Sequence, residues 1–291
     1  MTALLLGGVA PSAVWAHGFV GQRFFPATIA TDDPFVADEL SLPTFTTSRF
    51  NAGDDSPAGR ETSLSVDFSK RITQNFGLEF GSARERFTYG NAQPAISGRD
   101  NLDVGAKYLF YKNEASESLM SAGVVWEVGG TGSKSVADSF STYTPTFYFG
   151  KGFGNLKSDF LRPLAVTGTV GVAMPGRASE PHTLKVGLAF EYSLPYLQSA
   201  VKDIGLGAPF NRMVPVVEIA AAKPIDRVDD RRWTGTVNPG VLWPGRFVQL
   251  GIEAVVPINR ASGHGVGVQA QLHFFLDDLF PRTIGKPLLG S

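Results

Sequence analysis

The stretch MSAGVVWEVG, residues 120–129, decides the fold class. Met120, Ala122, Val124, Trp126 and Val128 alternate with Ser121, Gly123, Val125, Glu127 and Gly129. Successive residues of an extended chain point to opposite faces of a sheet, so one face here is bulky and apolar and the other mostly small or polar. A strand of about ten residues with this pattern is long for a soluble sheet and matches a tilted crossing of an outer membrane.

Outward along the chain the same period recurs. Leu102, Val104, Ala106, Tyr108 and Phe110 alternate with Asp103, Gly105, Lys107, Leu109 and Tyr111. Leu184, Val186, Leu188, Phe190 and Tyr192 alternate with Lys185, Gly187, Ala189 and Glu191, and Val266, Val268, Ala270, Leu272 and Phe274 with Gly267, Gln269, Gln271 and His273. Twelve such segments fall near 42–50, 61–70, 75–88, 101–112, 118–130, 142–151, 164–174, 183–193, 213–222, 233–243, 246–257 and 265–275. The even count suits a single-chain barrel.

With the first strand running outward, the connections 71–74, 113–117 and 244–245 are short and face the periplasm, while 89–100, 131–141 and 223–232 form longer outer loops. The exception is 193–212, a long periplasmic connection in which Tyr196, Leu197, Ala200, Val201 and Ile204 share a helical face, as a loop anchor would. The segment 213–222 fits least well, because Pro215 lacks a ladder donor and the alternation is poor. Trp126, Phe147, Phe149, Phe190, Tyr192, Trp233, Trp243, Phe247 and Phe274 lie toward strand ends, where interfacial girdles need amphipathic rings. In a soluble sandwich the same rings would be core, but that fold accounts less well for the long strands.

Composition agrees. Charged residues are 18% of the chain against the roughly 25% usual in soluble domains. Gly (33), Phe (22) and Pro (19) favour sheets and turns over helices. No run of about 18 apolar residues is available for a membrane helix, so a membrane-spanning form must be a barrel. A formal net charge of -1 offers no basic field for nucleic acid. Cysteine is absent, which removes disulfides and thiolate chemistry.

Residues 1–16, MTALLLGGVAPSAVWA, read as a signal peptide cleaved after Ala16, with Val14 and Ala16 at -3 and -1. The expected organisation is then a periplasmic segment at 17–41, a barrel at 42–275 and a tail at 276–291. Within 17–41, Phe19, Phe24, Phe25 and Phe35 are too apolar for a free leader. They are expected to pack at the periplasmic mouth, plugging the lumen or lying against it.

If the greasy faces meet lipid, the opposite faces line the lumen. The candidate lumen residues are Asp67, Glu79, Asp103, Lys107, Glu127, Lys185, Glu191, Glu253, Gln269 and Gln271, with Glu218, Gln249 and His273 on the same faces. Such groups either pair to fill a narrow interior or line a polar conduit. The acidic excess favours cations or neutral solutes. No catalytic residue is assigned: His17, His182, His264 and His273 sit in no HExxH motif and near no GxSxG elbow. His17 as a mature N-terminus has the beginning of a copper brace, but the match is two residues long. Asp32, Asp33, Asp38 and Glu39 show no EF-hand spacing and read as a solvated segment. No metal and no cofactor is expected.

The string AHGFVGQRFFPATIATDDPFVADELSLPT at 16–44, followed by ETSLSVDFSKRITQNFGLEFG at 61–81, resembles the meta-pathway phenol-degradation family of outer-membrane transporters. The resemblance implies a barrel linked with catabolism of aromatic compounds and uptake of hydrophobic solutes, and it carries over no catalytic residues. The tail departs from the usual terminal Phe, which leaves LHFF at 272–275 as the assembly signal. The expectation is therefore an all-β, antiparallel outer-membrane barrel of about 12 strands passing small solutes. Its partners would be outer-membrane lipid, the assembly machinery and a small-molecule solute. The rival readings are a structural barrel and an outer-membrane lipid-modifying enzyme.

Overall fold

The computed structural model describes residues 18–52, 57–90 and 93–290. The expected signal peptide and His17 lie outside them. A small hairpin of β1 (Phe19–Val20) and β2 (Arg23–Phe24) precedes β3 (Glu39–Phe50), β4 (Gly59–Arg71), β5 (Phe76–Tyr89), β6 (Ile96–Arg99), β7 (Leu102–Asn113) and β8 (Ser118–Val128). Then follow β9 (Thr142–Gly152), β10 (Leu164–Pro175), β11 (Thr183–Tyr192), β12 (Val214–Pro224), β13 (Thr234–Pro244), β14 (Val248–Pro257) and β15 (Gly267–Phe275). From β3 onward neighbours pair antiparallel, and β15 closes the ring against β3. The outer half of β5 pairs with β6 and its inner half with β7, so β6 and β7 act as one interrupted strand. The wall is a closed antiparallel barrel of twelve strands.

Each of the twelve alternating segments becomes a wall strand, including the one containing Pro215. That residue pairs with Val241 of β13, whereas the ladder to β11 ends at Glu191 opposite Val216, so the missing N–H falls where pairing has already stopped. The first strand starts at Glu39 rather than 42. One face assignment changes. The register between β7 and β8 shifts between Leu109 and Tyr111, and Tyr111, read as inward-facing, is exposed together with Phe110. One extra residue in a bulge reverses the side on which all later side chains fall.

The turns 72–75, 114–117 and 245–247 share a rim with the start of β3 and the end of β15, which identifies the periplasmic end. The connection 153–163 is a second long one at that end, besides 193–213, and it fills the gap between the alternating segments 142–151 and 164–174. Around the wall, Phe45, Leu64, Phe80, Val124, Trp126, Tyr143, Phe147, Phe190, Trp243, Leu250 and Ile252 are exposed, a belt that only a hydrocarbon phase covers favourably. Cysteines at Val124 and Leu188 should react with a lipid-phase thiol reagent, and cysteines at Asp67 and Lys185 with a water-soluble one. In folding assays Leu188→Arg should cost about 2–4 kcal/mol and Asp67→Arg less than about 1. Equal costs at both sites would reject the inside-out assignment.

Candidate functional site

The barrel interior is occupied by the chain's own segment from Gly18 to Asp38. Gly21, at φ +62, turns the β1–β2 hairpin, and a Cβ there would sit 2.7 Å from the Glu114 carbonyl oxygen. Val20 and Phe25 are buried with Leu119 and Ala165, and Phe35 and Leu109 pack against them. Ile29 packs on a second apolar patch of Ala189, Val214, Val216 and Leu242. These inward-facing apolar side chains explain the poor alternation of β12, where Val214 and Val216 face the plug while Val217 is exposed outside.

Side chains of the wall grip the plug's backbone. The Glu218 carboxylate accepts hydrogen bonds from the backbone N–H groups of Ile29 (2.7 Å), Ala30 (3.0 Å) and Thr31 (2.7 Å) and from the Thr31 hydroxyl (2.9 Å). Gln249 Nε2 donates to the Ala27 carbonyl at 2.6 Å and Ser121 Oγ to that of Pro34 at 2.5 Å. Lys107 Nζ donates to the Asp33 carbonyl at 3.0 Å and pairs with Asp32 at 3.0 Å and with Glu79 at 2.8 Å. Satisfying this irregular backbone matters, because an unpaired buried N–H or C=O is costly.

The periplasmic base is an ionic knot. Arg23 is fully buried and lies 3.2 Å from Glu117, donates to the Pro163 carbonyl at 2.9 Å and to that of Arg162, and stacks 3.6 Å from the Tyr196 ring centroid. Tyr196 belongs to α1 (Leu194–Tyr196) and donates its hydroxyl to Glu117 at 2.8 Å; burial raises its pKa and that hydrogen bond adds to the shift. Leu197–Val201 continue α1 as a π-type turn, and Ile204, expected on the same face, is exposed. Asp38 is also fully buried, with Lys70 Nζ at 2.5 Å and Arg71 Nε at 2.8 Å. The reading of this acidic run as a solvated segment fails at Asp38, because two cations from β4 repay its desolvation.

Between the plug and the walls of β3, β4, β5, β7 and β15 lies a cavity of about 320 Å³, edged by Asp32, Asp33, Glu39, Asp67, Glu79 and Asp103. Burial pushes the Asp33 carboxyl up to about 6 against the pull of Lys107, with Asp32 adding to the rise. His273 borders the same space, hydrogen-bonded through Nδ1 to Ser41 Oγ at 2.9 Å.

Of the lumen residues read from sequence, Asp67, Glu79, Asp103 and Gln271 border this cavity and Lys107 spans to the plug. Glu191, Glu253 and Gln269 lie apart from it, nearly fully buried, with Gln269 Nε2 donating to Glu253 at 2.6 Å. Glu127 accepts from Asn101 Nδ2 at 2.8 Å, and Lys185 is exposed on the lumen face. Sequence reading missed Arg23 and Glu117, took Asp38 for a solvated residue, and placed Ser121 on the inward face and Tyr196 on an anchoring helical face without their partners. For Glu117 the sequence offers only its place in a turn before an alternating strand; in the structure it adopts φ +47.

No protein-family model matches the chain, and no curated protein matches it by sequence. Solved structures do. An outer-membrane channel from Pseudomonas putida F1 superposes with a TM-score of 0.57 at 14% identity, covering 87% of this chain and 99% of that one. The NanC porin superposes with a TM-score of 0.50 at 8% identity, covering 80% and 98%. LpxR from Salmonella typhimurium is a looser match, with a TM-score of 0.43 at 11% identity. The fold is that of an outer-membrane β-barrel, and its apolar belt places the chain in that membrane.

Proposed function

We propose that the chain is a non-enzymatic diffusion channel of the outer membrane whose permeability is set by residues 18–38. The observation that carries this reading is the grip of Glu218 on the backbone of 29–31 inside the lumen, beside a water-accessible, carboxylate-edged cavity. Those carboxylates favour small neutral or cationic solutes over anions. Membership of the phenol-degradation family, supported by the string at 16–44, would make the cargo aromatic or hydrophobic. A separate space of about 290 Å³ at the periplasmic end, bordered by Phe19, Phe24, Pro195, Tyr196 and Pro244, favours this second cargo.

Deleting 18–38 from the full chain, with the leader retained, should leave a heat-modifiable barrel of raised conductance in planar bilayers. Reversal potentials in a salt gradient should show cation preference. A correctly folded deletion with unchanged conductance would refute the gating role.

A further inference from the structure

We infer that the outward face of β3, β4, β5 and β6 is a binding site for the phosphate groups of outer-leaflet glycolipid. The inference rests on the outer-membrane placement and not on conduction. On β3, Phe45, Thr47 and Arg49 share a face, and on β4, Leu64, Thr62 and Arg60 lie directly opposite them. Phe45 and Leu64 are exposed members of the apolar belt, so Arg49 and Arg60 point out of the barrel on its extracellular side. On β5, Arg84 and Arg86 lie opposite Leu64 and Thr62, on the same outer face, and Arg99 of β6 stands opposite Arg84. All five arginines are exposed, and none has a carboxylate partner among the described residues.

Two of these pairings, Arg49 with Arg60 and Arg84 with Arg99, set like charges directly opposite across a ladder, an arrangement that destabilises a sheet unless an anion intervenes. The inward neighbours Glu61 and Glu85 do not neutralise the patch, because they lie on the lumen face, where Glu85 is buried and accepts from Ser63 Oγ at 2.7 Å. The inner side of β6 is covered by the loop after β8, with Ser133 N donating to the Arg99 carbonyl at 2.8 Å, so Arg99 is left to the outside. Between Arg49, Arg60, Thr88, Tyr89 and His264 the surface dips into a depression of about 360 Å³.

The occupant follows from charge and height. The patch lies next to hydrocarbon-facing residues and beyond them toward the exterior, where a lipid's headgroup sits. Planar guanidinium groups bind phosphate through paired N–H donors, and the outer-leaflet glycolipid, lipopolysaccharide, carries phosphates on its lipid A. An acyl chain of the same molecule would lie along Phe45, Leu64 and Phe80.

The test uses the full folded protein in detergent, with diphosphoryl lipid A and its dephosphorylated counterpart as probes and native mass spectrometry as readout. The wild type should retain the diphosphoryl form roughly tenfold more than the dephosphorylated one. The double variant Arg60→Gln/Arg84→Gln should lose that discrimination, whereas Arg231→Gln/Arg232→Gln on the loop after β12 should keep it. Equal retention of the two lipids by the wild type, or undiminished discrimination by the first variant, overturns the site. Full displacement by millimolar inorganic phosphate would reassign it to free anions and equally overturn the lipid. If the double variant does not fold, the wild-type comparison decides.

Discussion

Replacing Arg23 by alanine will destabilise the folded barrel by about 3–5 kcal/mol, the usual loss when one partner of a buried ion pair is removed. Its guanidinium ties the β1–β2 hairpin to the turn holding Glu117 and to the carbonyls of Arg162 and Pro163, while packing on Tyr196. Three periplasmic connections thus converge on one side chain with no exposed surface. Truncation leaves Glu117 with Tyr196 Oη and Gly154 N as donors and takes the guanidinium away from the Arg162 and Pro163 carbonyls. Lysine should restore only part of the loss, because a single ammonium cannot serve Glu117 and two carbonyls while stacking on the ring. Urea unfolding in lipid vesicles, followed by tryptophan fluorescence, measures the effect. A loss below about 1 kcal/mol would show that the knot is not structural.

The wall was legible in the sequence because its physics is periodic. A strand between lipid and lumen must alternate, so Met120 to Val128 declares both faces at once. The lumen was less legible, for two reasons. The bulge near Tyr111 reverses parity without a compositional sign. More generally, the barrel interior is not solvent but a second protein surface, so the inward positions Leu109, Leu119, Val214, Val216 and Leu242 keep period two but are apolar where a polar lumen is expected, because Val20, Phe25, Ile29 and Phe35 cover them. Glu218 and Lys107 could be placed on the inner face from their strands alone. Their partners could not, since 18–38 has no repeating pattern and its contacts span the whole length of the chain. The arginines at 49, 60, 84, 86 and 99 were visible as residues, but only the register of β3 to β6 makes them neighbours.

Glu218→Ala should release the plug without dismantling the barrel. The side chain is fully buried and makes no contribution to the ladders of β12, whose backbone pairs with β11 and β13 on both sides. Its loss strands three N–H groups and a hydroxyl that the native carboxylate serves, and each orphaned donor costs about 1–3 kcal/mol when no water replaces it. Water entering the space left by the side chain recovers part of this. A net weakening of about 3 kcal/mol then shifts the closed-to-open ratio on the order of a hundredfold. Gln249, Ser121 and Lys107 still hold Ala27, Pro34 and Asp33, so the segment should fluctuate rather than leave. Single-channel recordings of Glu218→Ala should show frequent transitions to a larger conductance, and trypsin should reach Arg23 faster than in the wild type. Glu218→Gln, which keeps one acceptor oxygen but turns N–H donors toward N–H groups, should fall between the two. Wild-type recordings and wild-type proteolysis from a folded Glu218→Ala barrel would mean that the plug is held by its apolar packing and that the carboxylate grip does not set permeability.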